Sequence, residues 1–151
     1  MVQISNQLQW WVCLIFLLGY QWARCATLDD LFPPPTKTVA TLKPLVQGQQ
    51  VYSYQRLLAD TAHLEETYPG LIEVSDIGES VFGRRIIAIR LGRGPVAITL
   101  NGSHHGREWI TSSVLMAMID RYVLAYYRGE ILDGYDVYDL LNRVSLHIVP
   151  M

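Results

Sequence analysis

The chain reads as an α/β fold, and three features of the sequence predict it. Segments with the helical period and segments with the pattern of strands follow one another in the order helix, hairpin, strand, helix, strand. Half of the residues are hydrophobic, enough to supply a core, and 17% are charged, too few for a disordered chain. A glycine-bearing junction, Asn101-Gly102-Ser103-His104-His105-Gly106-Arg107-Glu108, joins an apolar strand to a long amphipathic segment, the kind of connection at which open α/β sheets place their sites. At 151 residues the length fits one domain.

Taken in order, the first helix starts after Ser53, whose hydroxyl suits an N-cap. Tyr54, Leu57, Leu58, Thr61 and Leu64 fall on one face, with Arg56, Asp60 and Glu66 elsewhere, and Pro69-Gly70 ends the helix. Leu71 to Gly78 is a strand and Phe82-Gly83-Arg84 a turn. Arg85 to Leu91 returns as a second strand, because charged or small residues alternate there with aliphatic ones. Gly92-Arg93-Gly94-Pro95 turns the chain again. Val96 to Leu100 is more continuously apolar, the pattern of a buried central strand. A helix follows from Glu108 to Tyr127, with Ile110, Val114, Leu115, Met118, Ile119 and Tyr122 on a broad apolar face and Trp109 and Ile110 opening its buried side. Arg128 to Gly134 is a loop, Val137 to Arg143 a short helix, and Val144 to Val149 a final strand. No internal repeat is visible.

Upstream, Trp10 to Tyr20 is an apolar run of signal-peptide length, shorter than the ~20 residues of a spanning helix. Small residues around Arg24 suit a signal peptidase, so residues 1–25 are expected to form a signal peptide cut near Cys25 or Ala26. The mature chain is then secreted, by bacterial export, without stable membrane association. No Lys or Arg precedes the apolar run, which keeps an uncleaved anchor as the alternative. Residues 26–50 read as a linker or short pro-segment, since Pro33-Pro34-Pro35 favours extended backbone and Lys43-Pro44 and Gly48 interrupt any periodicity. The domain itself is 51–151. Both cysteines, Cys13 and Cys25, fall in or beside the targeting segment, so the mature domain offers no disulfide, no Cys nucleophile and no Cys-based zinc site. A net charge of -2 without a Lys/Arg cluster gives nucleic acid no electrostatic footprint.

The junction carries the chemistry. His105 and Glu108 stand three residues apart and can point at one ion. Zinc takes a neutral imidazole nitrogen at ~2.0–2.1 Å and a carboxylate oxygen at ~2.0–2.2 Å. Of the two adjacent histidines only His105, not His104, has this spacing to Glu108. Arg107 keeps its charge and forks onto a carboxylate. A metal beside a guanidinium suits hydrolysis of a peptide bond near a free carboxylate. The plainer reading makes His104 and His105 surface histidines and Glu108 an ordinary charge at a helix start; a His-x-x-Glu pair is informative only in its strand-to-helix setting. His147 alternates within a strand, and His63 is a solvated residue of the first helix. Asp133, Asp136 and Asp139 lack the Gly and Glu positions of an EF-hand and read as solvated turn residues. A catalytic zinc takes three protein ligands and an open position, and two ligands stand out here.

Asn101 to Thr111 resembles the first zinc motif of the carboxypeptidase A-type zinc peptidases. Tyr52-Ser53-Tyr54 and the helix after it resemble that family's opening. Ile77-Gly78-Glu79-Ser80, Gly83-Arg84 and the strand Ile86 to Leu91 resemble its first hairpin. Leu146-His147-Ile148-Val149-Pro150-Met151 resembles the strand that leads into an Asn-Pro-Asp-Gly turn. The resemblance covers Val51 to Met151, with the flavour of the bacterial branch that includes γ-D-glutamyl-L-diamino-acid endopeptidases. It implies the front half of a mixed-sheet zinc-carboxypeptidase fold with helices packed on the sheet. It implies zinc metallocarboxypeptidase activity on peptides, with Zn2+ on His105 and Glu108 and Arg107 touching substrate. The alternatives are a cell-wall endopeptidase acting on muropeptides, an inactive peptide-binding remnant, and a membrane-tethered protein in which the pair is incidental. In the family the third zinc ligand, the carboxylate-binding arginines, the pocket tyrosine and the general-base glutamate lie beyond the matched residues, so no catalytic base is assigned. The expectation is an incomplete fragment, inactive alone, that exposes the edge and apolar surface of its central strand.

Overall fold

In the computed structural model the described residues are 42–47 and 51–151. The signal-peptide expectation for residues 1–25 lies outside them, as does most of the linker. The Ser53 hydroxyl accepts a hydrogen bond from the Arg56 N–H at 3.2 Å and so caps α1, Tyr54–Thr67. Leu57, Thr61 and Leu64 are buried on the expected face. Asp60, expected on the outer side, is buried as well. It accepts from the Tyr52 hydroxyl at 2.6 Å and from Arg56 Nε at 2.9 Å, partners that offset the cost of taking a carboxylate out of water. His63 is exposed.

β1 (Ile72–Glu79) and β2 (Arg85–Leu91) form the expected hairpin, with a bulge between Asp76 and Gly78. β3 is Val96–Asn101 and β6 is Val144–Val149. The four make a mixed sheet in the order β1-β2-β6-β3, in which β6 runs antiparallel to β2 and parallel to β3. α2 (Trp109–Arg128) and α3 (Val137–Arg143) lie in the connection from β3 to β6, the length of crossover a parallel pair requires. Leu64, Ile89, Met116, Ile119, Val123, Leu141 and Ile148 belong to one contiguous core. Each such side chain contributes roughly 1.5–3 kcal/mol by leaving water.

β3 departs from its sequence pattern. It is the edge strand among the described residues, and Val96 and Ile98 are 58% and 46% exposed. Its apolar run is that of a strand covered on both sides, but only β6 pairs with it here, and the interior positions fall to β2 and β6. The expected exposure of an apolar strand edge is thus present. Residues 128–134, expected to be a loop, contain half of a small hairpin, β4 (Ile131–Leu132) with β5 (Tyr135–Asp136). Asp133 and Gly134 both take positive φ, 49° and 85°, as a tight two-residue hairpin turn needs. The acidic residues nearby have local duties: Asp136 caps α3 by accepting from the Asp139 N–H at 3.1 Å, and Asp139 pairs with Arg143.

Part of the segment read as a linker is held on α2. Val46 is buried, and Asp120 accepts the N–H groups of Leu45 and Val46 at 3.2 and 3.4 Å. Arg128 donates to the Leu42 carbonyl at 2.8 Å. Burial pushes the Asp120 carboxyl above the usual carboxylate range, against the lowering by those two N–H donors. A native pKa above the unfolded one adds stability that is complete below the unfolded value of about 3.9 and lost as pH rises through the native value. Asp120→Asn, fixed in the neutral state, should therefore lack that decline. The unfolding free energy of the parent should fall relative to the variant as pH is raised across the weakly acid range, and a constant difference in urea titrations would contradict this. Among the described residues no helix is long and apolar enough to cross a membrane.

Candidate metal site at the strand-to-helix loop

The loop from Gly102 to Glu108 leaves the carboxyl end of β3 and enters α2. Gly102 is buried and its N–H donates to the Val149 carbonyl at 2.8 Å. A Cβ there would meet Pro150 O at 2.8 Å and Leu115 Cδ1 at 2.9 Å, so the close approach requires glycine. Ser103 follows with φ 47° and is held in that conformation by its neighbours. Its N–H donates to Thr111 Oγ1 at 2.6 Å, and its hydroxyl shares a hydrogen with the Ser112 hydroxyl across 2.7 Å. Ser112 in turn donates to the Pro150 carbonyl at 2.5 Å, and Thr111 to the Glu108 carbonyl at 2.7 Å. The Glu108 N–H closes the turn on the His105 carbonyl at 2.9 Å. The Glu108 carbonyl is therefore held by the Thr111 and Ser103 hydroxyls, and Ser112 ties Ser103 to Pro150, so the three hydroxyls brace the turn as a chain.

Ser112 was not legible as a site residue, because its key partner, Pro150, lies 38 positions away. Ser112→Ala would leave the Pro150 carbonyl and the Ser103 hydroxyl short of a partner in a buried place. The expected cost is about 1–3 kcal/mol. A shift of the urea midpoint by less than the equivalent of about 0.5 kcal/mol would show that the brace is idle.

Above the brace, His104, His105, Arg107 and Glu108 are all exposed. Glu108 occupies the N-cap position of α2, yet its side chain makes no capping hydrogen bond, so the carboxylate is not committed to the helix. The two imidazoles meet edge to face with centroids 5.1 Å apart. Arg107 forms no ion pair among the described residues. Nitrogen and oxygen donors on one braced turn suit zinc chemically, but no group of three or more His, Cys, Asp or Glu comes together among the described residues. His147 sits in β6 beside Ser145, whose hydroxyl is 3.2 Å from its Nε2, and in register with Arg90 and Thr99.

The helix start differs from expectation. Trp109 and Ile110 are 40% and 53% exposed, and Val114 is exposed too. Further along, Ile119 is buried as expected and Leu115, Met118 and Tyr122 pack partly buried against the core, but α2 also buries Ser112, Met116, Asp120, Val123 and Tyr126. The helix is apolar on more than one side, and packing turned the buried face away from Ile110 and Val114 toward Met116 and Val123 while keeping Ile119 within it.

The chain is an α/β protein with a braced donor loop at the carboxyl end of a parallel strand, the position at which open α/β sheets commonly bind ligands. Comparison with known proteins narrows the class. The zinc carboxypeptidase family pattern matches residues 57–151, and the chain belongs to that hydrolase family. It is 35% identical over 107 residues to gamma-D-glutamyl-L-diamino acid endopeptidase 1 of Lysinibacillus sphaericus, covering 71% of this chain and 27% of that protein. It is 30% identical over 103 residues to carboxypeptidase B of Astacus astacus, covering 66% of this chain and 31% of that one. The metallo-carboxypeptidase of Burkholderia cenocepacia shares the fold with a TM-score of 0.55 at 20% identity, over 66% of this chain and 26% of that structure. The chain thus spans between a quarter and a third of the length of these relatives.

Proposed function

We propose that the chain carries the first metal-binding loop of a zinc-dependent metallocarboxypeptidase site, with His105 and Glu108 as ligands and Arg107 as a contact for a peptide substrate. The observation that carries this reading is the exposed, uncapped Glu108 carboxylate on a turn closed by the His105 carbonyl. When bound, zinc would polarise a scissile carbonyl and lower the pKa of a water molecule. This chain's own part is to present two donors on a braced backbone and a guanidinium beside them. At least one further donor must come from outside the described residues, because a catalytic zinc takes three protein ligands. The chain alone is therefore expected to bind zinc weakly and to turn over no peptide. Export from the cell, through the apolar leader, belongs to the same reading. A second reading, a cell-wall endopeptidase acting on muropeptides, is favoured by the 35% identity to the bacterial endopeptidase.

The test is equilibrium dialysis of the purified chain against zinc, followed by assays of peptides ending in a free carboxylate and of γ-D-glutamyl-diamino-acid peptides. About one equivalent of chelatable zinc is expected. No zinc uptake at any concentration would overturn the metal reading. Turnover by the chain alone would contradict the need for an outside donor, and the peptide cleaved would choose between the two activities.

A further inference from the structure

A second feature borders the metal loop. A cavity of about 400 Å³ opens at the carboxyl ends of β3 and β6, between them and the tip of the β1–β2 hairpin. Its walls are mainly apolar, from Phe82, Ile86, Val149 and Met151, and Asn101 and His104 join it to the metal loop. Among the described residues no Asp or Glu lines it, whereas Arg84, Arg85 and His104 do. Arg85 is neutralised by both carboxylate oxygens of Asp76, at 2.9 and 2.8 Å. Arg84 has no such partner among the described residues. Its guanidinium lies over the Tyr54 ring, 5.5 Å from the centroid, and the Tyr54 hydroxyl is itself fixed by donating to the Arg85 carbonyl at 3.1 Å. Stacking on one face of a guanidinium leaves its edge donors available for a carboxylate. The turn carrying Arg84 is ordered by the Ser80 hydroxyl, which accepts the Arg84 N–H at 3.1 Å. Phe82 stands 89% exposed at the mouth, an uncommon position for a large aromatic side chain.

We propose that this cavity is a subsite for an acidic peptide, in which Arg84 takes a carboxylate and Phe82 and Ile86 take the apolar side chain beside it. Its position against His104 places that carboxylate next to the turn bearing His105 and Glu108. Service as a substrate subsite rests on the metal reading above, whereas the binding itself does not.

The experiment is an amide NMR titration of the full chain, with chelator and with zinc, using three probes. These are acetyl-leucyl-glutamate amide, acetyl-leucyl-glutamine with a free terminal carboxylate, and acetyl-leucyl-glutamine amide, which is neutral. At least one carboxylate probe should bind about tenfold more tightly than the neutral one, and whichever does so identifies a side-chain or a terminal carboxylate as the ligand. Arg84→Gln should erase that preference, Arg84→Lys should retain part of it, and Phe82→Ala should weaken all three probes while keeping their ratio. Circular dichroism checks that each variant is folded, and the wild-type comparison stands without any variant. Equal affinity for all three probes, or a preference that survives Arg84→Gln, would overturn the proposal. A preference that persists in chelator while the chain takes up no zinc would support the cavity and sink only the metal reading.

Discussion

Alanine at position 94 should destabilise the domain by about 3–5 kcal/mol, a large part of the ~5–15 kcal/mol that holds a domain of this kind together. The added Cβ would lie 1.9 Å from the Arg143 carbonyl carbon, 2.0 Å from Val144 N and 2.2 Å from Arg143 O. All three are backbone atoms where α3 passes into β6, so no rotamer change relieves the overlap. Nor can the turn simply withdraw. The Gly92 N–H donates to the Leu71 carbonyl at 2.9 Å and the Arg93 N–H to the Leu141 carbonyl at 2.7 Å, which anchors residues 92–93 to the approach to β1 and to α3. Displacing β6 would disturb β2 and β3 together, because it lies between them. Gly106→Ala is the control: an added Cβ there meets nothing within 4 Å, and the cost should stay below about 1 kcal/mol. Urea unfolding followed by circular dichroism measures both. A Gly94→Ala midpoint close to that of the parent would show that the packing of this turn is wrong.

Zinc affinity should fall by at least about 100-fold in Glu108→Ala and in His105→Ala alike, since even outer-shell groups of a zinc site are worth about 10–100-fold. The two losses should be similar, because each variant removes one of two donors carried on a single turn. His104→Ala tests the register: it should leave zinc binding nearly intact, as should Arg107→Ala. Competition with a chromogenic chelator reads all four. The donors are exposed and the brace of Ser103, Thr111 and Ser112 is untouched, so folding should be unaffected and a lost signal reports the site. Equal affinity in parent and Glu108→Ala would remove the assignment, and a loss confined to His104→Ala would shift it by one residue.

Much of the frame was readable because it is local. Ser53 caps α1 through a contact three residues long, Asp133-Gly134 imposes its own backbone sign, and Arg85 to Leu91 alternates as a strand must. The strands on either side of the Asp133-Gly134 turn are not legible, since two-residue strands carry almost no alternation. The candidate site was readable in its donors and unreadable in its support. His-x-x-Glu is a spacing, whereas Ser112 matters only because Pro150 arrives beneath it.

The amino-acid order was sufficient for element types, the first cap, and a donor pair at the end of an apolar strand, since each depends on residues within a turn or two of one another. It put Ile119 on the buried face of α2 but could not set that face's limits, because a helix apolar on several sides takes its orientation from its neighbours; Ile110 and Val114 stay outside while Met116 and Asp120 go in. Nor could it show that Asp120 would grip Leu45 and Val46, or that β3, with the composition of an interior strand, stands at the edge. Contacts across 74 and 75 positions and the order of strands are properties of the assembled sheet, fixed by which surfaces meet when the core closes.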